Sequence, residues 1–389
     1  MDCPVCDRGE LSAFFEVTGV PVFCNVLHET RAAAVDAPRG DVRLGFCAAC
    51  GMIFNTAFDP ARVEYAPGYE NSLHVSPRFQ AFATELARRL VDEHDLRDAD
   101  LLEIGGGRGE FLELLCAAGG NRGVVYDPSA PEESGASPGR PVRPVRIVRQ
   151  ALAPDLPDVR ADLVCSRHVL EHLPDPRGFV ATIARFLARH DGCRLYLEVP
   201  SGLWTLRDMG IWDIIYEHCS YFTPWTLREL LAAEGLADVE VREAFGGQFL
   251  SAETPARASA RREATLDPPS ATARLVREFS ARFAERVQFW SAKLDESGLR
   301  GQRLAVWGVG SKGVTFLNTV AQAGAVVSAI DVSPRKQGRF LPGTGQRVMP
   351  PADAIEQAVD EVVVMNPIYL DEVRSTLDEL GYRGRVSPV

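Results

Sequence analysis

The 389-residue chain has the composition of a globular protein, with 46% hydrophobic and 24% charged residues, and its length predicts two or three domains. Its formal net charge of −11 disfavours nucleic acid as a partner. The chain has no apolar run long enough to span a bilayer, and its N-terminus lacks the apolar core of a signal peptide. We therefore expect a cytoplasmic protein without a membrane partner.

Two C-x-x-C pairs open the chain, Cys3 with Cys6 and Cys47 with Cys50, and 40 residues separate them. In a reducing compartment, closely spaced cysteines are more often metal ligands than disulfides. Four thiolates are the set that structural zinc prefers, so the spacing predicts a zinc-ribbon-like domain over residues 1–72. The alternative is two unrelated buried pairs. This region carries more acids than arginines, which disfavours a nucleic-acid-binding ribbon.

A strand, a glycine cluster, a helix and a second strand follow one another over residues 101–127. The cluster has the spacing G-x-G-x-G and consists of Gly105, Gly107 and Gly109. Glu103 lies two residues before the first glycine, and Asp127 stands at a solvent-facing end of the second strand. This order indicates a nucleoside-binding βαβ unit within an α/β domain over residues 73–255. A plain strand–turn–helix with incidental glycines is the alternative.

Two polar stretches follow later strands of this domain. His168, Glu171 and His172 form H-x-x-E-H, the inverted zinc-protease motif, but nearby prolines argue against the helix that this metal site needs. His172 is the better pocket candidate, and His168 is interpreted as a structural histidine. Residues 201–224 then surround Glu217 and His218 with aromatic side chains, which suits a substrate pocket because histidine exchanges protons near neutrality. The alternative is a helix that buries its aromatic residues.

Residues 256–300 predict a helical connector, and a third module covers residues 301–389. There, a strand, the turn Gly308-x-Gly310-x-x-Gly313, a helix and a strand ending at Asp331 satisfy the dinucleotide fingerprint. The remaining length has room for one mononucleotide-binding half. We interpret the module as a half-Rossmann unit that could hold a nucleotide group of the substrate, with an NAD site as the alternative.

The stretch from Glu103 to Gly109 resembles motif I of class I S-adenosylmethionine (SAM) methyltransferases. That resemblance implies a Rossmann-like core with SAM as cofactor. It places Asp127 on the ribose hydroxyls and the glycines beneath the methionine part.

The three modules in this order resemble the sugar C-methyltransferases of deoxysugar biosynthesis over nearly the whole chain. The most specific stretches are GVGSKGVTFLN and IDVSPRKQGRFLPGTG, and the four N-terminal cysteines match the family's zinc domain. The resemblance implies a small-molecule substrate, a nucleotide-linked 4-keto deoxysugar that is methylated on carbon through an enolate. The alternatives are an O- or N-methyltransferase, a nucleotide-dependent oxidoreductase and a zinc-ribbon adaptor.

The same resemblance implies catalytic roles for individual residues. His218 would be the base, Glu217 would orient it, and His172 would be a second active-site histidine. Tyr69 is a looser match to an active-site tyrosine. The family's tyrosine three residues before the base is Ile215 here, and Tyr216 occupies the adjacent place.

Overall fold

A computed structural model describes residues 1–6, 8–63, 72–130, 145–151, 159–255, 266–321 and 323–389. These residues form three β-sheets with helices packed between and around them. Within these ranges, no helix is both long enough and apolar enough to cross a membrane.

Strands and helices alternate along most of the described chain. The strands are β1 (Leu11–Pro21), β2 (Arg39–Cys47), β3 (Ile53–Asn55), β4 (Asp100–Ile104), β5 (Arg122–Tyr126), β6 (Val145–Val148), β7 (Leu163–Arg167), β8 (Arg194–Pro200), β9 (Ser220–Tyr221), β10 (Glu240–Ala244), β11 (Phe249–Glu253), β12 (Leu304–Trp307), β13 (Val326–Ile330), β14 (Val348–Met349), β15 (Glu361–Val364) and β16 (Arg385–Pro388). The α-helices are α1 (Arg31–Val35), α2 (Pro77–Glu93), α3 (Glu110–Gly119), α4 (Pro176–Arg189), α5 (Gly202–Arg207), α6 (Pro224–Ala233), α7 (Pro269–Leu299), α8 (Ser311–Thr319), α9 (Pro351–Ile355) and α10 (Leu370–Glu379).

The N-terminal sheet has the order β1-β2-β3-β9, and all of its pairs are antiparallel. Its last strand, β9, comes from the aromatic stretch 201–224, where Tyr221 pairs with Ile53. The sheet therefore joins the cysteine-bearing region directly to the segment that carries Glu217 and His218.

The central sheet has the order β10-β11-β8-β7-β4-β5-β6. Its strands β4 to β8 are parallel, and the hairpin of β10 and β11 adds two antiparallel strands at one edge. Numbered from β4, the parallel strands run 3-2-1-4-5, so the order reverses between β4 and β7. Ligands bind beyond the carboxyl ends of strands at such a switch point. The predicted glycine loop follows β4, and the H-x-x-E-H stretch follows β7.

The C-terminal sheet is parallel throughout and has the order β14-β13-β12-β15-β16. This is also a 3-2-1-4-5 arrangement, so the sheet extends past the half-module that the chain length suggested. Short connections explain the difference, because α9, between β14 and β15, has only five residues. The helical connector is observed as α7, which packs against the N-terminal sheet through edge-to-face contacts of Phe279 and Phe283 with Phe15.

Candidate functional site

The loop after β4 is built around glycines that no other residue could replace without rearrangement. Gly105 has a positive φ of +74°, and a Cβ there would lie 2.1 Å from the Val169 side chain. A Cβ on Gly106 would lie 2.4 Å from Oε2 of Glu103. The backbone therefore turns tightly over the end of the strand and leaves its face open to a ligand.

Asp127 supports this loop from the neighbouring strand. Its Oδ2 accepts a hydrogen bond from the Gly107 amide at 2.7 Å, and its Oδ1 accepts one from the Ser129 amide at 2.7 Å. Only 6% of the residue is exposed. The expectation of a solvent-facing Asp127 is therefore wrong, because these bonds draw the carboxylate inward. Its role toward the ribose hydroxyls stays a prediction.

A cleft of about 820 Å³ opens beyond the carboxyl ends of β4 and β7. This volume lies within the usual range for small-molecule sites. Its lining includes Glu103, Gly105, Gly107, Asp127, His168, His172, Arg335 and Arg339. All three modules thus contribute to the lining, which includes Leu27 of the N-terminal region, the glycine loop, and the two arginines of the C-terminal module. Gly109 is not part of this lining and is the N-cap residue of α3.

Glu103 is an ionisable group buried beneath the glycine loop. Burial raises its pKa to about 7, although Arg167 opposes the shift. Its Oε2 has no hydrogen-bond partner among the described residues. An orphaned carboxylate oxygen beside an open cleft is suited to a positively charged ligand group.

Two histidine rings pack against each other beside the cleft. His172 lies in a 3-10 turn after β7, and its ring centroid is 4.8 Å from that of His218. Nδ1 of His172 is 3.0 Å from the carbonyl oxygen of Glu217. Because a carbonyl only accepts, Nδ1 carries the proton. His172 lines the cleft directly, and His218 lies next to it.

His218 is suited to accept a proton. Burial lowers its pKa well below the ordinary value, and the electrostatic influence of His172, His168 and Lys312 acts in the same direction. The ring is therefore neutral at pH 7, and a neutral imidazole is the form that acts as a base.

Glu217 is completely buried and makes hydrogen bonds with Cys24 and His172. Its Oε2 accepts a hydrogen bond from the Cys24 amide at 2.9 Å, while its carbonyl holds His172. These contacts tie the carboxylate to the N-terminal region. The structure thus associates Glu217 with the placement of His172, and the predicted orientation of His218 by Glu217 stays a prediction.

Tyr216 does not line the cleft. Its hydroxyl accepts a hydrogen bond from the Asp59 amide at 2.9 Å, its ring packs on Phe58, and 1% of it is exposed. Neighbouring residues of this segment point in different directions, so a tyrosine shifted by one place faces the N-terminal sheet. The predicted catalytic role of Tyr216 therefore loses its geometric basis. Tyr69 lies outside the described residues.

The sequence reasoning missed a buried charge network between β7 and the cleft. Arg167 Nη2 lies 2.7 Å from Glu198 Oε1, and His168 Nε2 lies 3.1 Å from the same oxygen. Burial opposes protonation of His168, but Glu171 and Glu198 together raise its pKa to about 9. His168 is thus a cation with a positive φ of 55°, not simply a satisfied core histidine. The H-x-x-E-H spacing was the available signal.

In the C-terminal module, the acid of the dinucleotide fingerprint is already engaged. Asp331 is buried, and its Oδ2 lies 3.2 Å from Nζ of Lys336. Its Oδ1 accepts a hydrogen bond from the Ser333 amide. This pairing disfavours the NAD alternative, which needs the carboxylate for ribose hydroxyls.

The four N-terminal cysteines come together as the spacing predicts. Their sulfur atoms are 3.6 Å apart for Cys3 and Cys50 and 3.7 Å apart for Cys6 and Cys47. Tetrahedral zinc with Zn–S bonds of about 2.3 Å requires sulfur separations of about 3.8 Å. The donor set and its spacing are therefore compatible with a zinc ribbon.

Comparison with known proteins matches two parts of the chain to families. The family described as a methyltransferase domain matches residues 76–241, and the family described as a C-methyltransferase C-terminal domain matches residues 256–386. The C-methyltransferase NovU of Streptomyces niveus is 29% identical over 306 residues, which cover 74% of this chain and 72% of that protein.

Solved methyltransferases resemble the central region at low scores. The 1,6-didemethyltoxoflavin-N1-methyltransferase of Burkholderia thailandensis has a TM-score of 0.34 and 21% identity, covering 46% of this chain and 81% of its own. The magnesium protoporphyrin IX methyltransferase of Synechocystis PCC 6803 has a TM-score of 0.35 and 18% identity, covering 49% of this chain and 91% of its own. Scores of this size carry no argument about substrate.

The matched domains span most of the chain, the relative is itself a C-methyltransferase, and the glycine loop stands where the fold binds its ligand. The chain is a SAM-dependent methyltransferase with a class I core, and its two family matches and its similarity to NovU support a sugar C-methyltransferase family.

Proposed function

We propose that this enzyme methylates a carbon atom of a nucleotide-linked 4-keto deoxysugar through an enolate. The pair of His172 and His218 beside the SAM-binding loop carries the proposal. Methylation of carbon requires the breaking of a C–H bond, which needs a base close to the proton. The match to a C-methyltransferase C-terminal domain supports the same reaction.

In the proposed reaction, residues of this chain move the proton and stabilise the enolate. His218 takes the proton from the carbon beside the ketone, and the electron pair of that C–H bond moves to the ketone oxygen. His172 or a pocket tyrosine would hydrogen-bond the resulting enolate oxygen, where a preorganised donor is most effective. SAM supplies an electrophilic methyl group; as the enolate carbon bonds to it, the methyl–sulfur bond breaks and its electrons remain on sulfur.

Residues around the cleft suggest where SAM binds. Glu103, Gly105, Gly107 and Asp127 would hold SAM, with the unpaired carboxylate oxygen of Glu103 suited to its positive charge. Arg335 and Arg339 of the C-terminal module also line the cleft and supply guanidinium groups. Arginine recognises phosphate by paired hydrogen bonds, which supports a substrate with a diphosphate linkage.

The position of the transferred methyl group tests this function. A 4-keto sugar nucleotide incubated with SAM should yield a product with a new carbon-bound methyl group, identified by NMR. In deuterated water without SAM, the enzyme should also exchange the α-proton of the substrate, provided that the abstracted proton can reach solvent. A methyl group on oxygen or nitrogen would refute C-methylation and favour the O- or N-methyltransferase alternative.

We also propose that Cys3, Cys6, Cys47 and Cys50 bind one structural zinc ion. Replacing Cys47 with serine should cause misfolding rather than a clean loss of catalysis, because such sites contribute folding free energy. Metal analysis and thermal unfolding would measure this, with Cys193→Ser as a control outside the cluster. Much less than one zinc per wild-type chain would refute the assignment.

A further inference from the structure

Arg167 is a buried cation at the cleft to which the proposed reaction gives no role. It is the last residue of β7, 9% of it is exposed, and it lines the same cleft as the glycine loop. Its guanidinium carbon lies 4.3 Å from the centre of the Phe111 ring, a contact that helps to orient the charged group. Burying an arginine is costly unless its donors are paired, so its partners indicate what it can bind.

Glu198 satisfies only part of this guanidinium. Nε of Arg167 donates a hydrogen bond to Oε1 of Glu198 at 2.9 Å, and Nη2 lies 2.7 Å from the same oxygen without hydrogen-bond geometry. That oxygen also lies 3.1 Å from Nε2 of His168, and the Tyr196 hydroxyl donates to Oε2 at 2.8 Å. A guanidinium has five N–H donors. Within the part of the chain that the structure describes, Arg167 therefore keeps donors that no acceptor satisfies.

Glu103 supplies the opposite charge in the same cleft. It lies on β4, the strand that pairs with β7, and its Oε2 has no hydrogen-bond partner among the described residues. Arg167 is the charge that most strongly opposes the rise of the Glu103 pKa on burial. The two side chains are thus close enough to interact electrostatically, and each has polar atoms that are left unsatisfied.

We infer that Arg167 binds the α-carboxylate of SAM, while the unpaired oxygen of Glu103 accepts a hydrogen bond from its α-ammonium group. The methionine part of SAM carries both groups on one carbon atom, so it matches a cation and an anion that lie near each other. The inference rests on the proposed placement of SAM at the glycine loop, and it does not depend on which atom is methylated. Arg167 would hold the methionine end of the cofactor and take no part in proton transfer.

Charge and burial favour this carboxylate over the phosphates of a sugar nucleotide as the ligand of Arg167. A diphosphate at Arg167 would be repelled by the carboxylate of Glu103, whereas an amino acid brings its own ammonium group to that carboxylate. The side chains of Arg335 and Arg339 are 39% and 42% exposed, but that of Arg167 is only 7% exposed. Charge-assisted hydrogen bonds are strongest in such buried surroundings.

Calorimetry with two ligands tests the inference without turnover. S-adenosylhomocysteine carries the α-carboxylate, and its decarboxylated form, in which hydrogen replaces that group, keeps the ammonium group and the nucleoside. The wild type should bind S-adenosylhomocysteine about 10–100-fold more tightly, as expected for hydrogen bonds between charged groups. Equal affinity for the two ligands would overturn the inference, and this measurement needs no variant.

A matched pair of variants assigns the preference to Arg167. Removal of Arg167 alone would leave Glu198 as a buried charge without its cation, so Arg167→Met is combined with Glu198→Gln and compared with Glu198→Gln alone. The single variant should keep the preference for S-adenosylhomocysteine. The double variant should lose most of it, with weaker binding of S-adenosylhomocysteine and unchanged binding of the decarboxylated form. Thermal unfolding checks that both variants are folded.

The remaining outcomes separate this inference from a structural role and from the proposed function. An equal loss of affinity for both ligands in the double variant would overturn the inference, because Arg167 would then support the shape of the cleft. A preference that persists without Arg167 would overturn it as well. Asp127→Ala should weaken the binding of both ligands equally, since both contain the ribose. Unchanged binding in Asp127→Ala would contradict the proposed ribose contact, whereas a selective loss without Arg167 would still support the carboxylate contact.

Discussion

Replacing His218 with alanine should lower turnover by about 10²–10⁴-fold, the usual contribution of a positioned base, and leave SAM affinity near that of the wild type. The reason is geometric, because His218 contacts His172 and is not among the residues that line the cleft with the glycine loop. Single-turnover kinetics would measure the loss, and calorimetry would measure SAM binding.

The pH dependence of the wild-type reaction checks the same assignment. Since burial lowers the pKa of His218, the ring stays neutral as pH falls through the ordinary histidine range. The rate limb that reports the base should therefore appear below pH 6.5. His190→Gln is a suitable control, because that ring stacks on Phe186 at the end of α4, outside the cleft. Full activity in His218→Ala would refute the base assignment.

The parts that the sequence predicted well depend on local patterns. The strand before Gly105 and the helix after Gly109 are recognisable because apolar periodicity and glycine spacing act within a few residues. The cysteine pairs can also be predicted from local sequence, since C-x-x-C places two thiols on one turn without depending on distant residues. Ser76 is the N-cap of α2 and Pro77 is its first residue, and both are signals that act locally in the sequence.

The parts that the sequence did not predict depend on partners far along the chain. Tyr216 is held by Asp59, and Glu217 by Cys24, each more than 150 residues away. Asp331 has the right spacing for a ribose contact, but Lys336 already occupies its carboxylate. No periodicity reports such contacts, because they arise only when the N-terminal sheet takes β9 from the central region.

The buried charge network around Glu171 gives a second reason why the sequence did not predict the site. The letters H-x-x-E-H suggested either a protease metal site or a structural histidine. Which role each residue has depends on Glu198, which β8 brings beside β7. Protonation of His168 is therefore a property of the assembled sheet and not of the motif.

Replacing Glu103 with glutamine should make the unliganded protein more stable at pH 8 and weaken its binding of SAM. The pKa of Glu103 is about 7 in the folded protein, against an ordinary value of 4.5. A group with a raised folded-state pKa contributes stability below pH 4.5 and loses it as pH rises through 7. At pH 8 the buried charge costs about 3 kcal/mol, and glutamine removes that cost.

Urea unfolding at pH 4.5 and pH 8 would measure this difference, which should be small at the lower pH and approach about 3 kcal/mol at the higher one.

Asp127→Ala is the matched control. It should also weaken SAM binding severely, yet gain no stability, because it removes hydrogen bonds to the amides of Gly107 and Ser129. Equal stability of Glu103→Gln and wild type at pH 8 would contradict the buried charge. Unchanged SAM affinity in both variants would instead contradict the assignment of the loop. We expect the two substitutions to change the stability in opposite directions because the contacts of the two carboxylates differ. Glu103 has an oxygen without a partner among the described residues, whereas Asp127 holds the loop together.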